Sequence, residues 1–269
     1  MTFKMYQADA FASEVFTGNP AAIVPLQQWL PDNILQQIAM ENNLSETAFY
    51  IPDGDQFQIR WFTPGAEVDL CGHATLAAAF ILFECEGYTG NSIRFFSPRS
   101  GLLLVEKQHD QLLMNFPADI VAEVELNTLL QSCIKNQRPA KAYKGKTDYL
   151  LVFETEEAIR AAIPDMQAIA QLPARGLIIT APGNEVHFVS RFFAPQVGVP
   201  EDPVTGSAHT TLFPFWLEKL TGKDQEGSFL TARQLSARGG TLQGRQTGDR
   251  VELAGRAVLY MEAQIQVPD

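Results

Sequence analysis

The sequence predicts an α/β (α+β) protein of two similar halves, each built around one enclosed helix. Three observations carry that expectation. Short strand-patterned segments recur along all 269 residues. Two stretches, Gly72–Glu86 and Gly206 to about Leu220, are apolar on nearly every face, as helices surrounded by protein are. Each helix also opens on one device, an Asp followed closely by Gly and a polar residue: Asp69-Leu70-Cys71-Gly72-His73 and Asp202-Pro203-Val204-Thr205-Gly206-Ser207. Gly72 and Gly206 lie half the chain apart, which suggests duplicated domains facing each other.

In chain order, Phe3, Met5 and Tyr6 lead a first strand to Ala10-Phe11. A turn at Thr17-Gly18-Asn19-Pro20 precedes the apolar strand Ala21–Pro25. Pro31-Asp32 opens a helix with Ile34, Leu35, Ile38 and Ala39 on one face, Asp32 as its N-cap, and Asn42-Asn43 as its end. Strands follow at Thr47–Ile51 and Phe57–Phe62, then the first enclosed helix, then strands at Ile93–Phe96, Leu102–Glu106 and Leu112–Phe116. A boundary is placed at 117, giving domains 1–117 and 118–269, with the last strand, about 255–269, able to return to the first. Beyond it come a polar helix Val124–Lys135, strands at Asp148–Phe153, Gly176–Thr180 and Val186–Phe193, the second enclosed helix, and strands Arg250–Leu253 and Ala257–Gln266.

Composition narrows the function. The chain is 46% hydrophobic and 19% charged, with a formal net charge of −11. Its basic residues are scattered, which argues against nucleic acid, since phosphate contacts need clustered Lys and Arg. Any anionic ligand must therefore be caught by local donors. Cys71, Cys85 and Cys133 form neither a disulfide framework nor a zinc motif, and the four histidines lack metal spacing. With no signal-peptide pattern, and no apolar stretch long enough to span a bilayer, a cytoplasmic protein without membrane contact is expected. No dinucleotide or phosphate loop occurs, so no cofactor is expected.

The first turn of a helix offers unpaired N–H groups and a positive dipole end, suited to carboxylates or phosphates. Gly72 and Gly206 would let a ligand approach the backbone closely. Proton transfer further needs an acid/base near neutrality and donors for the charge that develops. Glu46, in Asn43-Leu44-Ser45-Glu46-Thr47-Ala48-Phe49, stands where a helix gives way to a strand between apolar neighbours, and is the candidate base. It also fits a plain loop carboxylate. His73 is either a donor to substrate or a capping histidine, and Asp202 and Ser207 are either site residues or ordinary helix-start groups. His209, one turn inside the helix, is expected to neighbour the site. A two-cysteine racemase is disfavoured because the position matching Cys71 is Thr205, whose hydroxyl has no accessible anion near pH 7.

Five ordered blocks resemble the PhzF-like (phenazine biosynthesis-like) family: Thr17–Ala22, Asn43–Phe49, Asp69–Thr75, Arg191–Pro195 and, most specifically, Glu201-Asp202-Pro203-Val204-Thr205-Gly206-Ser207-Ala208. The resemblance implies a diaminopimelate-epimerase-like fold, in which two domains each wrap a curved, mostly antiparallel sheet or barrel around a central helix, with the active site in the cleft between them. It implies a cofactor-independent isomerase in which Glu46 carries a proton on a small carboxylate-bearing substrate. His73, Asp202 and Ser207 would hold or polarise that substrate, with Asn19, Cys71, Gly72, Thr205, Gly206 and His209 around it. It also implies a homodimer. Cys71 before Gly72-His73, and His209 in Ser207–Thr211, are departures, and nothing in the sequence points to phenazine chemistry itself. Two other readings stay open: an epimerase or dehydratase using Cys71 and Thr205, and a non-catalytic binder of a small acid.

Overall fold

The computed structural model describes residues 1–221 and 227–268. The chain divides into two compact units, Met1–Asn115 with Ala254–Asp269, and Phe116–Leu253. The tail belongs to the first unit, and the second ends at Leu253. The physical reason is pairing: β1 (Thr2–Ala10) runs antiparallel to β17 (Ala257–Gln266) from Thr2↔Gln266 to Ala10↔Ala257, with a bulge at Gln7/Ala8.

In the first unit β1 also pairs antiparallel with β2 (Asn19–Pro25), and β2 runs parallel to β3 (Glu46–Asp53). The crossover between them is α1 (Asp32–Asn42). β3 turns back into β4 (Gln56–Phe62), which carries the short β5 (Glu67–Val68) and runs parallel to β6 (Ser92–Ser97). The hairpins β6, β7 (Gly101–Gln108) and β8 (Gln111–Pro117) complete the sheet. Inside its curve lies α2 (Gly72–Glu84), packed on β1, β2, β3 and β17. Every residue of α2 from His73 to Ala79 is buried, which is why this helix carries no polar face. On the other side of the sheet, Leu35, Ile38 and Ala39 of α1 join Val24, Phe49 and Phe62 in a second core layer.

Period-2 alternation along β3 divides its side chains between these two layers. Phe49 goes to the α1 layer, and Glu46, two positions from the buried Ala48, shares the α2 face. Asn43 ends α1 in the left-handed conformation (φ 49°), as its place after the apolar face suggests. Asp32 is not the cap. Pro31 holds that position, and Asp32 sits in the first turn with its carboxylate 2.9 Å from the Arg60 guanidinium.

The second unit contains β9 (Ala122–Val124), β10 (Lys141–Lys144), β11 (Asp148–Val152), β12 (Gly176–Pro182), β13 (Phe188–Phe193), β14 (Leu230–Gln234), β15 (Gly240–Thr247) and most of β16 (Arg250–Gly255). Pairing is antiparallel except for β11–β12 and β13–β14. The long helix expected over Val124–Lys135 is a strand followed by the single turn α3 (Thr128–Ser132), capped by Asn127. Two further short helices, α4 (Glu156–Ala161) and α5 (Met166–Ala170), close the outer core around Leu151, Ile159, Ile169 and Phe193. The second enclosed helix, α6 (Gly206–Thr221), buries Leu212, Phe213 and Trp216, with Phe188 stacked on Trp216 at 5.7 Å. Pro214 lies inside α6 and removes the N–H that would bond the Thr210 carbonyl. The backbone N–H of Asp119 replaces it at 3.2 Å, and the Asp119 carboxylate accepts from Thr211 Oγ1 at 3.0 Å. No helix among the described residues is long and apolar enough to cross a membrane.

Candidate active site

In the first unit four sequence candidates come together at the start of α2. Cys71 occupies the N-cap position in extended conformation, and no side chain caps the helix there. His73 lies one residue into the helix and is 5% exposed. Glu46, at the first position of β3, places Oε2 3.3 Å from His73 Nε2, and its side chain keeps 17% of its surface in water. Asn19, fully buried at the start of β2, points Nδ2 at His73 Nδ1 from 3.3 Å, and Cys71 Sγ stands 3.5 Å from the same nitrogen.

The hydrogen-bond roles follow from the donor inventory. An amide nitrogen only donates, so Nδ1 accepts from Asn19, and the proton of the neutral ring sits on Nε2, the nitrogen on the side of Glu46. Burial pushes the His73 pKa down to about 3. The ring is therefore neutral at pH 7, and its 3.3 Å approach to Glu46 is not an ion pair.

The backbone that holds these groups is tightly fixed. Gly18 precedes Asn19 with φ +68°, and a Cβ there would come within 2.2 Å of the Ala10 carbonyl oxygen, so this position accepts only glycine. Thr75 Oγ1 donates to the Cys71 carbonyl at 2.6 Å and locks the first turn of α2. Asn42 Nδ2 donates to Thr47 Oγ1 at 3.1 Å, tying the end of α1 to the residue after Glu46.

The second unit builds a different set around the start of α6. Thr205 Oγ1 donates to the Asp202 carboxylate at 2.5 Å, and Gln234 binds both residues. Its Nε2 donates to the Asp202 carbonyl (2.7 Å) and to Thr205 Oγ1 (3.2 Å), while its Oε1 accepts from the Thr205 N–H at 2.9 Å. A bidentate Arg191–Glu201 pair (2.7 and 3.0 Å) steadies the loop leading into Asp202. Ser207 is exposed, and its Oγ accepts from Arg175 Nη1 at 2.9 Å. Arg175 is itself anchored by the buried carboxylate of Asp148 through Nε (3.0 Å) and Nη2. Gly206 is buried at the first position of the helix.

His209 is fully buried, and both of its ring nitrogens are engaged inside the fold. Nδ1 lies 2.8 Å from the Thr205 carbonyl oxygen and must carry the proton, which leaves Nε2 to accept from Ser190 Oγ at 3.4 Å. Desolvation pushes its pKa down to about 4, against the weaker opposing effect of the Thr205 carbonyl. This neutral histidine braces the carbonyl at the start of α6.

Sequence reasoning missed Arg175, Gln234 and Asp148. Each reaches its partner across 27 to 32 positions of chain, and no local motif announces such a pairing. The sequence likeness between Asp69 and Asp202 is also unequal in space. Asp69 is exposed and paired with Arg99 at 3.1 Å, whereas Asp202 holds Thr205.

Comparison with known proteins adds to this geometry. A family model described as phenazine biosynthesis-like protein (PhzC-PhzF) matches residues 8–263. A Pseudomonas aeruginosa protein named as an uncharacterized isomerase is 49% identical over 268 residues, spanning 99% of this chain and 100% of its own. A solved PhzF-family phenazine biosynthesis protein of Enterococcus faecalis superposes with a TM-score of 0.94 at 40% identity, covering 99% of this chain and 100% of its own. A hydroxyproline epimerase of Agrobacterium vitis, at 9% identity and a TM-score of 0.60 over 98% of this chain and 92% of its own, shares the fold. With its two units each enclosing a helix, and with a family match over nearly all its length, this chain belongs to the phenazine biosynthesis-like PhzC-PhzF family.

Proposed function

We propose that the chain is an isomerase that relocates a proton on a small carboxylate-bearing metabolite, with Glu46 as the acid/base. The observation that carries this reading is the Glu46–His73 contact at 3.3 Å beside the uncapped start of α2. In the proposed mechanism the first-turn N–H groups at Gly72 and His73 hold an anionic oxygen of the substrate. Glu46 takes a proton from the acidified carbon and returns it to another carbon on the same face. The Nε2–H of His73, 3.3 Å from the Glu46 carboxylate, can turn to the oxyanion as it forms. A positioned acid/base supplies roughly 10²–10⁴-fold in rate. A preorganised donor to a developing oxyanion adds about 2.7–4 kcal/mol. Within the second unit, Asp202, Thr205 and His209 keep the Gly206–Ser207 start of α6 in place.

The test is exchange with heavy water. A panel of small hydroxy, amino and unsaturated carboxylic acids is incubated with the protein in D₂O and read by mass spectrometry. The wild-type chain should add deuterium to at least one acid, and Glu46→Gln, folded by circular dichroism, should lose that exchange nearly completely. Exchange retained in Glu46→Gln removes Glu46 from the role. Tight binding of an acid without exchange would instead favour a non-catalytic binder.

A second reading rests on the Cys71 thiol, 3.5 Å from His73 Nδ1, as the acid/base of a one-cysteine epimerase or dehydratase. Full activity in Cys71→Ala ends that reading.

A further inference from the structure

Among the described residues, Glu46, Cys71 and His73 form a cluster of three different metal-ligating groups, whose ligand atoms all lie within 4.8 Å of one another. From this cluster we infer that the start of α2 is also a binding site for a thiophilic divalent ion, Zn²⁺ foremost, and that the bound ion shuts off proton transfer by occupying the base.

The geometry is close to what such an ion needs. Zinc bonds of about 2.3 Å to sulfur and about 2.0–2.2 Å to nitrogen and oxygen set tetrahedral edges of about 3.3–3.4 Å for N···O and about 3.5–3.6 Å for S···N. His73 Nε2 stands 3.3 Å from Glu46 Oε2, already at the first edge. It stands 4.0 Å from Cys71 Sγ, within half an ångström of the second. All three ligand atoms lie within 4.8 Å of one another, so the Cys71 and Glu46 side chains must close by up to about 1 Å to reach the S···O edge of about 3.6 Å. The ion then has one sulfur, one nitrogen and one oxygen ligand, with the fourth position left for water or an anion. A thiolate in this set selects zinc or cobalt over magnesium and calcium, which favour all-oxygen sites.

Two neighbours suit the site further. Cys71 sits at the N-cap of a thirteen-residue helix. Binding through sulfur takes the thiolate and releases the thiol proton to solvent. Asn19 faces His73 Nδ1 at 3.3 Å. Turned end for end, its amide presents Oδ1 in place of Nδ2 and accepts the Nδ1–H that a histidine ligated through Nε2 carries, the usual support for a zinc-bound imidazole. The sequence hid this cluster because Glu46 joins Cys71-Gly72-His73 only through the fold.

That the ion inhibits rests on the Glu46 reading; that it binds does not. The experiment uses the full chain after chelation, titrated with Co²⁺ in the absence of substrate. One equivalent should produce a near-ultraviolet thiolate-to-cobalt band and the intense visible bands of a four-coordinate ion, and Zn²⁺ should displace both while Mg²⁺ does not. Cys71→Ser should abolish the near-ultraviolet band. Cys85→Ser and Cys133→Ser should keep it. Asn19→Ala should weaken binding ~10–100-fold, as loss of an outer-shell partner does. No thiolate band at one equivalent, or a band that survives Cys71→Ser, overturns the site. Should Cys71→Ser fail to fold, X-ray absorption of the zinc-loaded wild-type chain decides, since a first shell lacking sulfur overturns it too. A chain that binds the ion in this way and still exchanges deuterium at full rate keeps the site and overturns both the inhibition and the assignment of Glu46 as base.

Discussion

Acid should destabilise this protein well above the pH at which its carboxylates titrate, because each unit buries a neutral histidine. Burial lowers the pKa of His73 from 6.5 to about 3 and that of His209 from 6.5 to about 4. The unfolded chain can protonate both rings as pH falls through 6.5, while the folded chain protonates neither until much lower. Stability is therefore full above 6.5 and lost progressively as pH drops from there toward the folded values. At pH 5 the protonation free energy available only to the unfolded chain is about 2 kcal/mol per histidine, or about 4 kcal/mol for both, relative to pH 7.5. The carboxylates whose values are lowered, such as Glu156, start from 4.5 and titrate below this window. Urea unfolding at pH 7.5, 6 and 5 measures the effect. Trp29 and Trp61 report on the first unit and Trp216 on the second, so each histidine can be followed with its own unit. His209→Gln should flatten the pH dependence seen by Trp216 and leave that seen by Trp29 and Trp61. A stability unchanged between pH 7.5 and 5, within about 0.5 kcal/mol, would refute the neutral-histidine argument.

Three further substitutions have expected outcomes that urea denaturation checks. Gly18→Ala combines a left-handed backbone with a 2.2 Å approach to the Ala10 carbonyl oxygen, and should cost about 2–4 kcal/mol while displacing Asn19 from His73. Gln234→Ala removes three hydrogen bonds in a fully buried setting and strands the Thr205 N–H, an expected loss of about 2–4 kcal/mol that Gln234→Glu should not restore. Arg175→Ala leaves the Asp148 carboxylate buried without its cation. The expected cost is about 3 kcal/mol, at the low end for a broken buried pair because the arginine side chain is one-third exposed, and Asp148→Asn in the same chain should recover much of it.

How much of this was legible in the sequence depends on the reach of each interaction. Helices that are apolar all round, and strands with alternating or continuous apolar runs, carry their burial in local pattern. α2, α6 and most strands accordingly fall within a few residues of the expected limits. Asn43 is a local signal too, since ending a helix needs only its own backbone conformation. The short helices α4 and α5 had cap residues in plain view, Thr155 and Asp165, but five or six residues are too few to show a helical period. Asp32 was misread because an acidic residue at a helix start serves equally as a cap or as a partner for a distant cation, and Arg60 lies on another strand. The site divides in the same way. Glu46, Cys71, His73 and Asn19 were named from sequence, but their convergence is a product of parallel β2–β3 pairing, with Ala21 opposite Glu46, over a helix that no single segment predicts.

The two helix starts share a sequence pattern and differ in chemistry, and that difference bears on mechanism. Near α2 stand a carboxylate, a neutral imidazole and a thiol, three groups able to give or take a proton. At the start of α6 the position matching Cys71 is Thr205, whose hydroxyl proton is committed to Asp202 and whose oxygen already accepts from Gln234. A threonine so bound makes a poor acid and a worse base, and freeing it would break a buried network of four hydrogen bonds. The nearest histidine, His209, has both nitrogens engaged and is excluded from solvent. Neither Thr205 nor His209 is thus placed to serve as a second base. A single base that picks up a proton and sets it down elsewhere, as proposed for Glu46, accords with this. If so, deuterium delivered in a single turnover should appear on one face only, and substrate-derived hydrogen should be partly retained in product when a labelled acid is converted in ordinary water. Complete wash-out of that label would point to two bases.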